Sequence, residues 1–223
     1  GCNDAFIIDA NKREELITQD PGCEVLIKPL LKKSKLRKWF YSSDNEYVII
    51  TGSDIPIDKQ CVQIYNHLCK FKSRLVNRSD QGQSWFNLRA CSYYDDFEYG
   101  AKIIWELTAD KWRFAYDDKQ FYLVSNRYML LSESLPIGYI LGVLNSKLMQ
   151  YYFGFIGVMT AGGAYTLKEG TIGALPFHIP EDEDMDNRKC VELINEASLR
   201  LVGKTTADLS SVENEINSFV YRL

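Results

Sequence analysis

The 223 residues hold two histidines, six prolines that never stand next to one another, and no cysteine pair at C-x-x-C spacing. Each scarcity removes a chemistry. Cys2, Cys23, Cys61, Cys69, Cys91 and Cys190 are scattered, and with only His67 and His178 beside them no structural zinc site is expected. In a chain of this size, scattered cysteines read as small buried hydrophobes in a reducing, cytoplasmic setting. No apolar run approaches roughly 18 residues, so no membrane span is expected. No secretory signal pattern is visible, and the opening "GCNDAFIID" reads like a piece excised from something longer.

Catalytic signatures are missing as well. No G-x-G-x-x-G follows a strand, and there is no G-x-x-x-x-G-K-[ST], no H-E-x-x-H and no G-x-S-x-G. Neither His67 nor His178 has an evident Ser or Cys nucleophile beside it. The acid pairs Asp95-Asp96 and Asp117-Asp118 flank turns and read as solvated turn residues, not as an acid/base pair.

What is present is core and unevenly placed charge. Hydrophobic residues make up 46% and aromatics 13% of the chain, enough for a sizeable interior. The net charge of −4 is concentrated in the tail: residues 1–180 carry 21 basic and 20 acidic side chains, whereas residues 181–223 carry 5 and 10. The bulk charge is therefore a poor guide to partners, and local patches matter more.

Patterning predicts a strand over 4–9, a polar helix over 11–18 ended by Asp20-Pro21-Gly22, a strand over 46–51, and an amphipathic helix over 61–75. A central strand is expected over 101–108, one or two strands over 120–132 with a turn near Ser125-Asn126, and a helix over 135–155 with Pro136 in its first turn. Residues 165–180 read as extended. Beyond the acidic stretch 181–186, Val191, Ile194, Ala197 and Leu201 form one helical stripe, and Leu209, Val212, Ile216 and Phe219 form another, with a turn at Lys204-Thr-Thr-Ala. The fold class is mixed α/β (α+β), with a main domain over 1–180 and an acidic linker and helical hairpin over 181–223.

Three stretches invite a functional reading. "KPLLKKSKLRKW" (28–39) holds six basic residues and no acid, which suits either a solvated face or phosphate contact. "AGGAY" (161–165) suits a flexible loop or a close approach to phosphate. "LGVLNSKLMQYYF" (141–153) interrupts an apolar helix with Asn145-Ser146, which either ties the helix to neighbouring backbone or joins two shorter helices.

These pieces fall in order with others. "GCNDAFIID" (1–9), "IKPLLKKSKLRKW" (27–39), "IYNHLCKFKSRLVNR" (64–78), "WFNLR" (85–89), "AKIIWELT" (101–108), "YILGVLNSKLMQYYF" (139–153) and "GTIGALPFHIP" (170–180) together resemble the TaqI-like C-terminal specificity domain of adenine-N6 DNA methyltransferases and fused restriction-modification enzymes. The resemblance covers roughly the first 180 residues, and "VENEINSFVYRL" is similar to the helix that closes such proteins.

The resemblance implies a target-recognition domain for double-stranded DNA. It also implies no catalysis and no cofactor in this chain. S-adenosylmethionine and an Asn/Asp-Pro-Pro-Tyr/Phe motif belong to an N-terminal methyltransferase domain of the same polypeptide, and this chain has no Pro-Pro. Whether the parent also cleaves DNA is left open. Candidate phosphate contacts are Lys32, Lys33, Lys35, Arg37, Arg78 and Lys168. Candidate base or shape readers are Gln83, Trp85 and Tyr165, with Trp85 equally suited to the core. One competing reading is a protein-binding module that uses the tail hairpin. Another is a self-contained hydrolase, against which stands the missing nucleophile or metal set.

Overall fold

The computed structural model describes residues 2–32, 35–43, 45–52, 55–79, 81–89, 91–181, 183–204 and 209–223. In chain order the strands are β1 (Ile7–Asp9), β2 (Ile27–Leu31), β3 (Glu46–Ile49), β4 (Lys102–Glu106), β5 (Thr108–Ala109), β6 (Ala115–Asp117), β7 (Tyr122–Leu123), β8 (Arg127–Leu130), β9 (Val158–Met159) and β10 (Tyr165–Thr166). The chain divides into two units: Gly1–Lys33, Ser43–Glu98 and Gln120–Val124 form the first, and Ser34–Ser42, Tyr99–Lys119 and Ser125–Leu223 the second. The boundary expected near residue 180 falls inside the second unit.

In the first unit Asp9 caps α2 (Ala10–Gln19) by accepting from the Lys12 amide, and Asp20-Pro21 ends it. A four-stranded sheet runs β1-β3-β2-β7. Its pairs are antiparallel except β2 with β7, and Ile7 and Lys28 both register on Val48. The strand expected over 4–9 is only half a strand. Asn3–Phe6 form a helical turn, α1, that puts Ala5 and Phe6 into the core before β1 begins. A four-residue apolar run (5–8) without clear period cannot distinguish the two.

The helix expected over 61–75 is broken. After α3 (Ile57–Gln60) come α4 (Val62–Cys69) and α5 (Lys72–Leu75), and α6 (Tyr94–Glu98) follows later. Phe71 leaves helical geometry (φ −110°, ψ 5°), and its ring lies 5.4 Å from that of His67. The expected stripe survives the break, with Ile64, Leu68 and Leu75 all buried.

In the second unit β4 is central, as expected, in a sheet ordered β6-β4-β8; a second sheet is ordered β5-β10-β9. The turn at Ser125-Asn126 is present, yet the two strands it separates join different sheets, β7 to β2 and β8 to β4. The expected 135–155 helix becomes α7 (Ile137–Asn145) and α8 (Lys147–Ile156). Within residues 165–180 only β10 is strand, and the last five residues are irregular. Glu169–Ile172 form α9, whose turn buries Ile172 and brings Leu175 in behind it.

Both tail stripes form helices, α10 (Met185–Leu201) and α11 (Leu209–Val220). Val191, Ile194, Ala197 and Leu201 enter the same core cluster as Trp105, Phe114 and Tyr139. Close approach of α10 to α7 depends on glycine: a Cβ at Gly138 would lie 2.8 Å from the Asn195 carbonyl oxygen, and one at Gly142 would lie 2.6 Å from Ile194. The turn expected at Lys204-Thr-Thr-Ala lies outside the described residues from Thr205 onward. Beneath β4 and β6 the Lys102–Asp117 ion pair (2.8 Å) is wholly buried, and Asp117 also accepts from the Tyr41 hydroxyl at 2.7 Å.

Candidate nucleic-acid interface

The basic run does not behave as one face. Lys28 pairs with Glu98 at 2.7 Å and Lys32 with Glu46 at 3.1 Å, both within the first unit. Lys33 lies outside the described residues. In the second unit, residues 35–42 form a tight hairpin. Leu36 bridges Tyr41, the Arg37 amide donates to the Phe40 carbonyl at 2.9 Å, and the Ser42 amide donates to Lys35 at 3.2 Å.

The tip of this hairpin points inward. Trp39 is 1% exposed. Its amide donates to the Phe114 carbonyl, its carbonyl accepts from the Tyr116 amide, and its indole N–H donates to Glu213 at 2.8 Å. It holds φ 75°, the left-handed position a turn normally gives to glycine. Lys38 follows it in, its ammonium donating to the Asn145 carbonyl at 3.0 Å, and burial pushes its pKa down. Lys35 and Arg37 are left outside, exposed on a hairpin anchored by its own tip.

The receiving side of that anchor is the joint between α7 and α8. Asn145, 3% exposed, clamps the backbone of Phe114 at two points: its Oδ1 accepts from the amide at 3.0 Å and its Nδ2 donates to the carbonyl at 2.9 Å. Ser146 caps α8 by accepting from the Met149 amide and donates to the Val143 carbonyl at 2.6 Å. Trp112 supplies its indole N–H to the Leu144 carbonyl, and the Lys147 amide donates to Asn217 of α11. Both readings of Asn145-Ser146 are thus realised, tie and joint together.

Arg78, Gln83 and Trp85 belong to the first unit. Arg78 turns inward, donating to the carbonyls of Trp85 (3.0 Å) and Asn87 (2.7 Å), with its guanidinium 5.1 Å over the Phe6 ring. Trp85 packs between Tyr65 and Phe86 and carries Lys72 at 5.2 Å over its ring. Gln83 is exposed.

In the second unit, β9 and β10 form a ribbon whose tip is closed by Thr160 donating to the Ala164 carbonyl at 2.8 Å, with Gly163 at φ 79°. Tyr165 is half-buried, its ring 5.7 Å from Trp112, and its hydroxyl accepts from Gln150 at 3.0 Å. Lys168 is exposed immediately before α9. From Ser134 to Lys168 the chain has no carboxylate, and along it Tyr151 (69%), Phe155 (70%) and Val158 (61%) are solvent-exposed.

The structure therefore joins Arg78 to Trp85 directly, places Lys35 and Arg37 on one hairpin arm, and places Tyr165 and Lys168 at one ribbon exit. Thr51, Asn87 and the Asn145 clamp were not singled out as contact machinery by sequence. Their signal is a polar side chain that the fold buries, which appears only once the partners are in place. Among the described residues no group of histidine, cysteine and carboxylate side chains is arranged to hold a metal. Burial pushes the Cys23 thiol up to about 12 and raises that of Cys61, which suits inert packing. Cys2, Cys23 and Cys61 are buried as expected, whereas Cys69 is exposed.

No curated protein matches the chain. Among solved structures, it is similar to the type IIL restriction-modification enzyme MmeI in complex with DNA, with a TM-score of 0.66 at 13% identity over 99% of this chain. The chain spans 31% of the length of that enzyme. The family model of the TaqI-like C-terminal specificity domain matches residues 47–177, from β3 through the ribbon to Phe177. That match takes in more than half of the sequence, and the chain belongs to the TaqI-like C-terminal specificity domain family.

Proposed function

We propose that this chain recognises double-stranded DNA by sequence as the specificity domain of a restriction-modification enzyme, most specifically an adenine-N6 DNA methyltransferase. In this reading a methyltransferase domain elsewhere in the same polypeptide performs the chemistry, in the cytoplasm. The observation that carries the reading is family membership across residues 47–177. The placement of charge supports it: Lys35 and Arg37 stand exposed on a hairpin whose tip is locked into the core, so their approach to a phosphate is pre-arranged. Lys168 is exposed at the end of the carboxylate-free stretch.

This reading places no S-adenosylmethionine site in this chain. A cavity of about 210 Å³ lined by Tyr139, Val143, Met149, Tyr152, His178 and Leu223, among others, is apolar and offers no carboxylate for ribose hydroxyls. The cofactor is assigned to the catalytic domain. Selection from a randomised duplex pool by the intact polypeptide tests the reading. Enrichment of one sequence is expected, and recovery of no preferred sequence overturns it.

A second reading is favoured by one observation. Tyr151 and Phe155 stand ring to ring at 5.0 Å, exposed on α8, and Val158 and Met159, shortly after it in the chain, are exposed as well. Such patches mark protein interfaces. The tail stripes, the interface first expected, are packed within the second unit, so α8 and β9 are the surface this reading would use. Light scattering of the wild type and of Tyr151→Ser/Phe155→Ser distinguishes the readings: loss of self-association with sequence preference intact favours an interface.

A further inference from the structure

We propose that residues 81–89 form a preorganised base-reading loop, that Gln83 is the side chain it presents to a base pair, and that Thr51, Arg78 and Asn87 are its positioning residues. The inference rests on the DNA-recognition reading above and names where in the first unit that recognition is built.

Exposed loops ordinarily leave their backbone groups to water. This one is fastened from inside. Asn87 is 1% exposed. Its Oδ1 accepts from the Ser84 amide at 2.7 Å, and its Nδ2 donates to the carbonyl of Gly52 at 2.9 Å. The Thr51 hydroxyl donates to the Phe86 carbonyl at 2.8 Å and accepts from the Leu88 amide at 2.8 Å. Arg78 takes the carbonyls on either side, those of Trp85 and Asn87. Gly82 completes the shape: a Cβ there would lie 2.7 Å from that of Asn87, so the chain passes where only glycine fits.

So many buried bonds fix the position of a short exposed arc. The arc itself is uncharged at its crest. Arg78 is spent inward, and Gln81 Nε2 donates to the Val76 and Arg78 carbonyls. Gln83 remains exposed on the outside. A carboxamide offers one donor and one acceptor side by side, the pairing that matches N6 and N7 of adenine in the major groove. Fixing the backbone that carries such a group narrows where the carboxamide can reach, which base discrimination requires.

The test uses the intact polypeptide, the duplex enriched from a randomised pool, and its single-base variants. Gln83→Ala is a surface change that leaves folding intact. It is expected to lower discrimination at one base pair about 10-fold or more while the salt dependence of binding stays unchanged. Thr51→Val and Asn87→Ala should lose discrimination at that same base pair, and Thr51→Ser, which keeps the hydroxyl, should restore it. If Gln83→Ala retains wild-type preference at every position, the loop does not read bases. If Thr51→Val and Asn87→Ala lower melting temperature and weaken all duplexes alike, the three residues serve stability only and the positioning role is overturned. If the wild type enriches no sequence, the DNA reading itself fails, a result separate from either.

Discussion

Asn145 meets a demand that its own helix creates. A helix ends with carbonyls that have no partner within it, and α7 ends inside a core where water cannot supply one. The Val143 carbonyl accepts from Ser146, that of Leu144 from Trp112, and that of Asn145 from Lys38. The Asn145 side chain is then free to hold Phe114 at both backbone groups. Asn145→Ala should strand that buried amide and carbonyl and cost about 2–4 kcal/mol, read as a lower urea midpoint. An unchanged midpoint would mean that the clamp contributes nothing. From the sequence the pair Asn145-Ser146 was legible as a break or a tie, because a polar pair in an apolar helix has few other uses. Its partner Phe114, 31 residues away, was not, because local pattern carries no information about which distant backbone comes alongside. His67 makes the same point with a titrating group. Its Nε2 faces the Ala5 carbonyl at 3.0 Å, its Nδ1 is buried without a hydrogen-bond partner, and burial pushes its pKa below 6.5. The unfolded chain therefore binds a proton that the folded chain refuses. The His67 contribution is fully present above pH 6.5 and is lost as pH falls from there toward the folded value. His67→Gln, which still donates to Ala5, should show a smaller drop in melting temperature between pH 7.5 and 5.5 than the wild type; equal drops would remove His67 as the cause.

At the level of elements, the basic run shows how far a linear pattern reaches. Of the six cations that stand without an acid in sequence, the described ones lie in several environments, because strand pairing brings Glu46 beside Lys32 and hairpin closure carries Lys38 inward. Sequence could count the charges but could not see the carboxylates that strand pairing and loop folding would deliver. The same limit explains the break in the 61–75 helix: the apolar spacing was right, while Phe71, its ring beside that of His67, leaves helical geometry. The prediction for the run is accordingly narrower. Lys35→Ala/Arg37→Ala should weaken binding to every duplex and make the salt slope shallower by about 1–2 units, at roughly 0.9 per phosphate contact, with sequence preference unchanged. Lys32→Ala, which removes a cation already paired with Glu46, should change the slope less. Equal effects would mean that the Glu46 pair opens when DNA arrives, and no effect from the double variant would make the hairpin a solvated face.

On the scale of the whole molecule, the family match ends at Phe177, yet the second unit's core does not. Val191, Ile194, Ala197 and Leu201 of α10 share one cluster with Trp105, Phe114, Tyr139 and Leu144, and Ile216 and Val220 of α11 complete it. Polar bonds repeat the connection, since Glu213 accepts from the Trp39 indole and Asn217 accepts from the Lys147 amide. The tail was legible as two amphipathic helices because each stripe keeps helical period. Its role as core was not legible, because the acidic stretch 181–186 reads as a boundary, whereas α10 in fact lies on Gly138 and Gly142 of α7 with no room for a side chain between them. Deleting residues 187–223 should therefore expose apolar core and leave Trp39 without its carboxylate partner. Trp39, Trp105 and Trp112 all lie in the second unit and Trp85 lies in the first. Tryptophan emission should shift to longer wavelength, near-ultraviolet circular dichroism should fall, and the deleted chain should self-associate. Gly142→Leu, which keeps the tail but wedges α7 from α10, should reproduce the spectral change in part. If the deletion leaves emission, melting and solubility as in the full chain, α10 and α11 are an attachment, and the second unit holds together through its sheets and the α7–α8 joint alone.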